Sequence, residues 1–179
     1  MNSRVEHHNF ILWIMGPTSS GKTTLAVKLL QELRQKGRAC IHFDGDEIRD
    51  LFGPDFGFEK KDRLRVIKTL VHLGNKAFES GLNVIISALT AHQDARDYIK
   101  QNVKKLLVLY LNCSIEKCAE RDPKGLYKKA INGEIQTLIG LNSIYDSPEH
   151  PDIIINTEDM TVETCVSDIM YQLKGSNII

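Results

Sequence analysis

The 179-residue chain predicts a three-layer α/β fold with a mainly parallel central sheet. Three observations predict it. Short apolar runs alternate with amphipathic stretches from one end of the chain to the other, glycines close the amphipathic stretches, and no apolar run is long enough for anything but a buried strand. The longest runs, Phe10 to Met15 and Leu106 to Leu111, fall far short of the ~18 residues of a membrane span.

The elements follow in order. A strand is expected over 10–15, then a helix over 24–36, where Leu25, Leu29 and Leu33 recur every fourth residue and Gly37 supplies the stop. A second strand spans 38–43. Residues 51–59 carry Gly53, Pro54 and Gly57 among three phenylalanines, a loop too apolar for a solvated turn and therefore expected to cover something. A long helix over 62–80 presents Leu64, Ile67, Val71, Leu73 and Phe78 and ends before Gly81. Strands at 82–88, 106–111 and 152–156 and helices at 92–101 and 162–173 complete the alternation. The basic stretch over 121–130, broken by Pro123 and Gly125, reads as a mobile lid. No repeat or linker divides the chain, so residues 1–179 are read as one domain.

Composition narrows the function classes. Hydrophobic residues make up 42% and charged residues 26%, the balance of an ordinary folded domain. Lys plus Arg and Asp plus Glu are 23 each, so no global positive field recruits a nucleic acid polymer or an anionic membrane. The four cysteines, Cys40, Cys113, Cys118 and Cys165, form no C-x-x-C pair and read as reduced, buried thiols. Arg4, Glu6, His7 and His8 precede the first apolar run with no small-residue cleavage site behind it, which predicts a cytoplasmic protein.

The chemistry begins at Gly16-Pro17-Thr18-Ser19-Ser20-Gly21-Lys22-Thr23, a match to G-x-x-x-x-G-K-[ST] placed between an apolar strand and the amphipathic helix that opens at Thr24. That context makes it a phosphate-binding loop of the P-loop NTPase and kinase type. Its backbone N–H groups can surround a β-phosphate, Lys22 can bridge the β- and γ-phosphates of ATP, and the Thr23 hydroxyl can hold Mg²⁺. Two classes remain, a GTPase-type switch and a small-molecule kinase. Asp50-Leu51-Phe52-Gly53 matches D-x-x-G, but Asn75-Lys76-Ala77-Phe78 lacks the aspartate of N-K-x-D, and a basic lid suits a kinase that must exclude water. The second strand runs into Asp44-Gly45-Asp46-Glu47-Ile48-Arg49, which places two carboxylates and a guanidinium at the carboxyl edge of the sheet, where parallel folds bind ligands. One aspartate there can orient an acceptor hydroxyl and the other can serve the metal.

From the phosphate loop to about Ile155 the chain resembles the adenylylsulfate kinase (APS kinase) family. The resemblance rests on Asp44 to Arg49, Phe56-Gly57-Phe58 with Asp62-Arg63, Ile86-Ser87, and Arg121-Asp122-Pro123-Lys124-Gly125-Leu126-Tyr127-Lys128-Lys129-Ala130. Gly140 to Asp146 echoes the family's G-I-D-S-P-Y-E. The resemblance implies transfer of the γ-phosphoryl of ATP to the ribose 3′-hydroxyl of adenosine 5′-phosphosulfate, a small nucleotide acceptor, and a homodimer.

Carried over by position, the resemblance implies Lys22, Asp44, Asp46 and Ser87 as catalytic, with Asp46 the base and Asp44, with Thr23, at the metal. Asp46, Arg49, Phe58, Arg63, Val66, Ile86, Ser87, Lys124, Lys128 and Leu138 would surround the acceptor, and Arg121 the ATP phosphates. The segment around Asn156 and Thr157 is where adenine contacts are expected. Departures fall on the acceptor side. Arg65 and Val66 replace the Glu and Asn of D-R-x-E-N, Ala88-Leu89-Thr90 replaces proline, an aromatic and arginine after I-S, and Leu138 replaces the aromatic of F-T-G. Losing one stacking face costs roughly 1–3 kcal/mol per base. The acceptor is therefore read as adenylylsulfate, with another nucleotide such as cytidine diphosphoramidate, an unrelated small acceptor or a non-catalytic nucleotide-binding regulator as alternatives.

Overall fold

The computed structural model describes residues 9–176 together with 178 and 179; the reading of Arg4, Glu6, His7 and His8 lies outside the described residues. Five strands, β1 Ile11–Met15, β2 Cys40–Asp44, β3 Asn83–Ser87, β4 Leu106–Asn112 and β5 Ile153–Asn156, form one sheet in the order β2-β3-β1-β4-β5. Every pairing is parallel, so the sheet is parallel throughout. β1 lies at the centre between β3 and β4, where the strand order reverses, and its carboxyl end opens the crevice in which such sheets bind ligands.

Helices α1 Lys22–Gln35 and α7 Val162–Gly175 cover one face; α3 Lys60–Glu79 and α4 Gln93–Asn102 cover the other. On the α1 side Leu12, Ile14, Leu25, Leu29, Leu33, Ile169 and Leu173 form a dry core, and on the α3 side Ile11, Trp13, Ile67, Leu70, Val84 and Ile86 form the second. The strand period of two sends alternate β1 residues to opposite cores. One interlayer contact is close: a Cβ at Gly74 would lie 2.9 Å from Ile86 Cδ1, so a larger residue there would require the Ile86 side chain to shift.

Caps explain the helix starts. Asp44 accepts from Asp46 N at the head of α2 Gly45–Asp50, a capping box of Glu59 and Asp62 opens α3, and Thr161 caps α7. Ser114 caps α5 Ile115–Arg121, which is followed by α6 Leu126–Ile131. The stretch 121–130 is thus the end of α5, a turn and most of α6, packed on a small third core of Cys113, Cys118, Tyr127, Ala130 and Leu138. Among the described residues no helix is long and apolar enough to cross a membrane.

Candidate active site

The loop from Gly16 to Gly21 joins β1 to α1 at the centre of the crevice. Gly16 is required by crowding, since a Cβ there would meet Leu111 O and Ser20 Oγ at 2.9 Å each. Gly21, at φ 95°, turns the chain left-handed into α1. Lys22 folds back over the loop and donates to Gly16 O at 3.0 Å and Pro17 O at 2.6 Å. Burial pushes its ammonium down to about 8, against the attraction of Asp46 and Asp44, which works to raise it. Carbonyl partners are poor counterions, so this lysine is poised to exchange them for phosphate oxygens.

Asp44 is the hub of the site. Its Oδ2 accepts from Thr23 Oγ1 at 2.7 Å and from Ser87 Oγ at 2.6 Å, and its Oδ1 accepts from Asp46 N at 2.8 Å. The register that pairs Asp44 with Ser87 across β2 and β3 puts both side chains at the sheet's carboxyl edge. Burial alone would raise the carboxyl pKa, but the hydrogen bonds from Ser87, Thr23 and the Asp46 amide prevail and hold it below the usual range. Thr23 and Asp44 thus bring two hard oxygens together, a donor set that fits Mg²⁺ completed by water and phosphate oxygens. Ser20 Oγ, buried with no partner, is a further orphaned polar atom of the phosphate loop.

On the acceptor side, Arg49 donates to Gly57 O and its guanidinium lies 4.5 Å from the Phe58 ring centroid. Arg63, from the first turn of α3, donates to Phe58 O and to Thr137 O, each at 2.9 Å, and lies 5.8 Å from the same ring. Burial lowers the Arg63 pKa and the like charge of Arg49 lowers it further, the arrangement of a site awaiting an anion. The loop over 51–59 is held by stacking: Phe52 lies on Phe56 at 4.6 Å, and Arg65 covers Phe52 at 4.7 Å. Arg65, a departure from the family pattern, therefore supports the loop rather than the cavity.

The third side is the α5–α6 stretch. Lys124 Nζ reaches Asp46 Oδ2 at 2.5 Å, and the buried Tyr127 donates to Thr18 O at 3.1 Å, tying α6 to the phosphate loop. Arg121 donates to Thr157 O and Glu158 O on the far side of the loop.

These elements enclose one cavity of about 780 Å³, lined by Thr18 to Thr24, Asp44, Asp46, Arg49, Phe58, Arg63, Val66, Ser87, Arg121, Lys124 and Leu138. Four expectations need correction. Ile86 does not line the cavity: one residue before Ser87 on a strand, it points to the opposite face and packs beneath Gly74. Lys128 lies outside it, exposed on α6, with its amide bonded to Asp122 Oδ2. Of the pair expected near adenine, Thr157 lines the cavity and donates to Ser20 O at 3.1 Å, whereas Asn156 accepts from Glu158 N. Gly16 and Pro17 also lie outside the lining, their carbonyls occupied by Lys22. Met160, Thr161, Val162 and Cys165, at the start of α7, extend the wall beyond Thr157 and were not expected. The only sequence signal for them was their place just after Thr157.

Comparison with known proteins agrees with this geometry. The adenylylsulphate kinase family model matches residues 8–156. The adenylyl-sulfate kinase of Oceanobacillus iheyensis is 34% identical over 175 residues, covering 97% of this chain and 88% of the relative. A probable adenylyl-sulfate kinase of Pyrococcus abyssi is 36% identical over 152 residues, 85% of this chain and 87% of its own length. Among solved structures, a Mycobacterium tuberculosis APS kinase in complex with AMPPNP and APS superposes with a TM-score of 0.83 at 26% identity, covering 93% of this chain and 98% of that one. A shikimate kinase from Bacteroides thetaiotaomicron, at 16% identity and a TM-score of 0.62, shares the fold.

Proposed function

The chain belongs to the adenylylsulphate kinase family, and from that we propose that it transfers the γ-phosphoryl group of ATP to the ribose 3′-hydroxyl of adenosine 5′-phosphosulfate. That it is a phosphotransferase acting on a hydroxyl acceptor follows from the family itself. The observation that carries the finer reading is that one cavity joins Lys22 and Thr23 on the donor side to Asp46, Arg49, Phe58 and Arg63 on the acceptor side.

Each residue has a part that its surroundings support. Lys22 leaves its carbonyl partners to bridge the β- and γ-phosphates, within the N–H groups of the phosphate loop. Mg²⁺, held by Thr23 and Asp44, supplies neutralisation of phosphate charge. Asp46 orients the acceptor hydroxyl and takes its proton. Arg49 and Arg63 grip the acceptor's anionic end, and Phe58, half exposed, offers a face to its base. Lys124 brings a mobile point charge over the transferring group. A cytoplasmic location and a homodimer belong to the same proposal, the latter read by light scattering.

The test is ADP release with MgATP against adenylylsulfate and other acceptors, cytidine diphosphoramidate among them, with the phosphate position on the product assigned by NMR. The 3′-phosphorylated product of adenylylsulfate, at much the highest kcat/KM, is expected. In Lys22→Ala, turnover should fall by about a thousandfold or more through lost charge stabilisation. Near-normal turnover of that variant sinks the phosphate-loop assignment; an inert adenylylsulfate beside another phosphorylated nucleotide sinks the acceptor.

A further inference from the structure

His42 belongs to none of the motifs that carry the family resemblance, yet it touches the centre of the site. It lies on the edge strand β2, where the period of two puts Cys40, His42 and Asp44 on the α1 face and Ile41 and Phe43 on the α3 face. From there its Nε2 reaches diagonally across to Ser87 Oγ at 2.8 Å, and Ser87 Oγ lies 2.6 Å from Asp44 Oδ2. Ser87 and Asp44 are 2% and 5% exposed, so the contact between them is largely shielded from bulk water.

Counting protons assigns the direction of the relay. Ser87 has one hydroxyl hydrogen, and an oxygen 2.6 Å from an ionised carboxylate oxygen must place that hydrogen between them. Its remaining capacity is as an acceptor, so His42 is the donor, through the Nε2–H tautomer. The chain of donation runs from His42 to Ser87 to Asp44 Oδ2, the same oxygen that receives the Thr23 hydroxyl. A hydroxyl held by a donor on one side and an acceptor on the other is locked in one rotamer and polarised along the chain.

We propose that His42 is a positioning residue of the phosphotransferase reaction: acting through Ser87, it fixes the Asp44 carboxylate against the Thr23 hydroxyl at the donor end of the cavity. The inference rests on the kinase reading above. His42 itself does not line the cavity and reaches it through the Ser87 hydroxyl, so its removal should act more on the chemical step than on binding.

The experiment compares wild type, His42→Leu, His42→Gln, Ser87→Ala and the double variant His42→Leu/Ser87→Ala in the MgATP and adenylylsulfate assay. His42→Leu should lower kcat about tenfold with both KM values within about twofold, and His42→Gln, whose amide can donate from the same place, should recover all but about threefold. In the Ser87→Ala background the His42→Leu change should have little further effect, because the hydrogen bond His42 makes to the site is to that hydroxyl. A wild-type rate in His42→Leu, a loss expressed in KM, or equal losses in both backgrounds overturns the inference. Absence of turnover in wild type overturns the kinase reading and, with it, the rate effect assigned here. Independently of activity and of variant folding, long-range ¹H–¹⁵N NMR of the unaltered protein should show His42 as the Nε2–H tautomer; an Nδ1–H signal overturns the relay.

Discussion

Lys124 Nζ lies 2.5 Å from Asp46 Oδ2, although 78 residues separate them in the chain. The contact joins the turn between α5 and α6 to the acceptor edge of the sheet. Burial works against the Lys124 charge, but the hydrogen bond and charge of Asp46 prevail and hold its pKa above the ordinary lysine value. In the proposed reaction the acceptor hydroxyl shares the Asp46 carboxylate with Lys124, so the contact is expected to loosen as the acceptor enters.

Lys124→Ala therefore separates the structural and chemical roles of this lysine. The two side chains are 57% and 67% exposed, and such pairs contribute about 0–1 kcal/mol, so the melting temperature should move by less than about 4 °C. Turnover should fall by about 10- to 100-fold through loss of a cation over the transferring group. Thermal unfolding and steady-state kinetics on the same preparation check both numbers.

The ammonium of Lys22 gives a pH signature for nucleotide binding. In the free protein burial lowers its pKa to about 8, and phosphate contact raises it. Binding then takes up protons wherever the free lysine is uncharged, and affinity for MgATP should decline as pH rises above 8. Calorimetry in two buffers of different ionisation enthalpy should read an uptake of roughly three quarters of a proton at pH 8.5, falling to about a tenth at pH 7. Equal uptake at both pH values would show that Lys22 keeps its proton in the free protein.

Val66 and Leu138 replace an amide and an aromatic ring in the cavity wall, and both are buried there. Restoring the family residues with Val66→Asn and Leu138→Phe should raise kcat/KM for adenylylsulfate by about tenfold, in line with roughly 1–3 kcal/mol for one stacking face. No gain in a folded double variant would show that these positions do not set acceptor preference.

Arg96 is 8% exposed and donates to Thr90 O, Ala91 O, Asp146 O and Asp146 Oδ2, joining the turn after β3 to the segment before β5. Arg96→Ala should cost about 2 kcal/mol in urea unfolding, because the buried carbonyls of Thr90 and Ala91 lose their partner together. Arg96→Lys should recover little, since an ammonium cannot fork between those carbonyls.

The regular elements were legible because each carries its own periodicity or stop: Leu25, Leu29 and Leu33 for α1, Gly81 for the end of α3, unbroken apolar runs for β1 and β4. Helices α2, α5 and α6, at six or seven residues, are too short to establish a period; the lid expected over 121–130 takes in only the last residue of α5 and most of α6, and nothing in the pattern marks 115–120 as a helix. In the site, residues that follow from a local motif fell where the motif puts them, as Lys22 and Thr23 do. Ile86 was misplaced by following the family pattern across a strand whose alternation already sent it to the other face. The wall from Met160 to Cys165 depends on where α7 docks, which only tertiary packing decides.

Gly74 ties α3 to the sheet at a distance from the cavity that the same helix helps to line. The C-terminal half of α3 meets the sheet at Gly74, against the Ile86 side chain, while the N-terminal half of the same helix delivers Arg63 and Val66 to the cavity. Eight residues of rigid helix, about 12 Å, lie between Gly74 and Val66. A methyl group added at Gly74 would have to be taken up by a shift of the Ile86 side chain, so the fit of that one side chain decides whether the end of α3 that carries Arg63 and Val66 keeps its place.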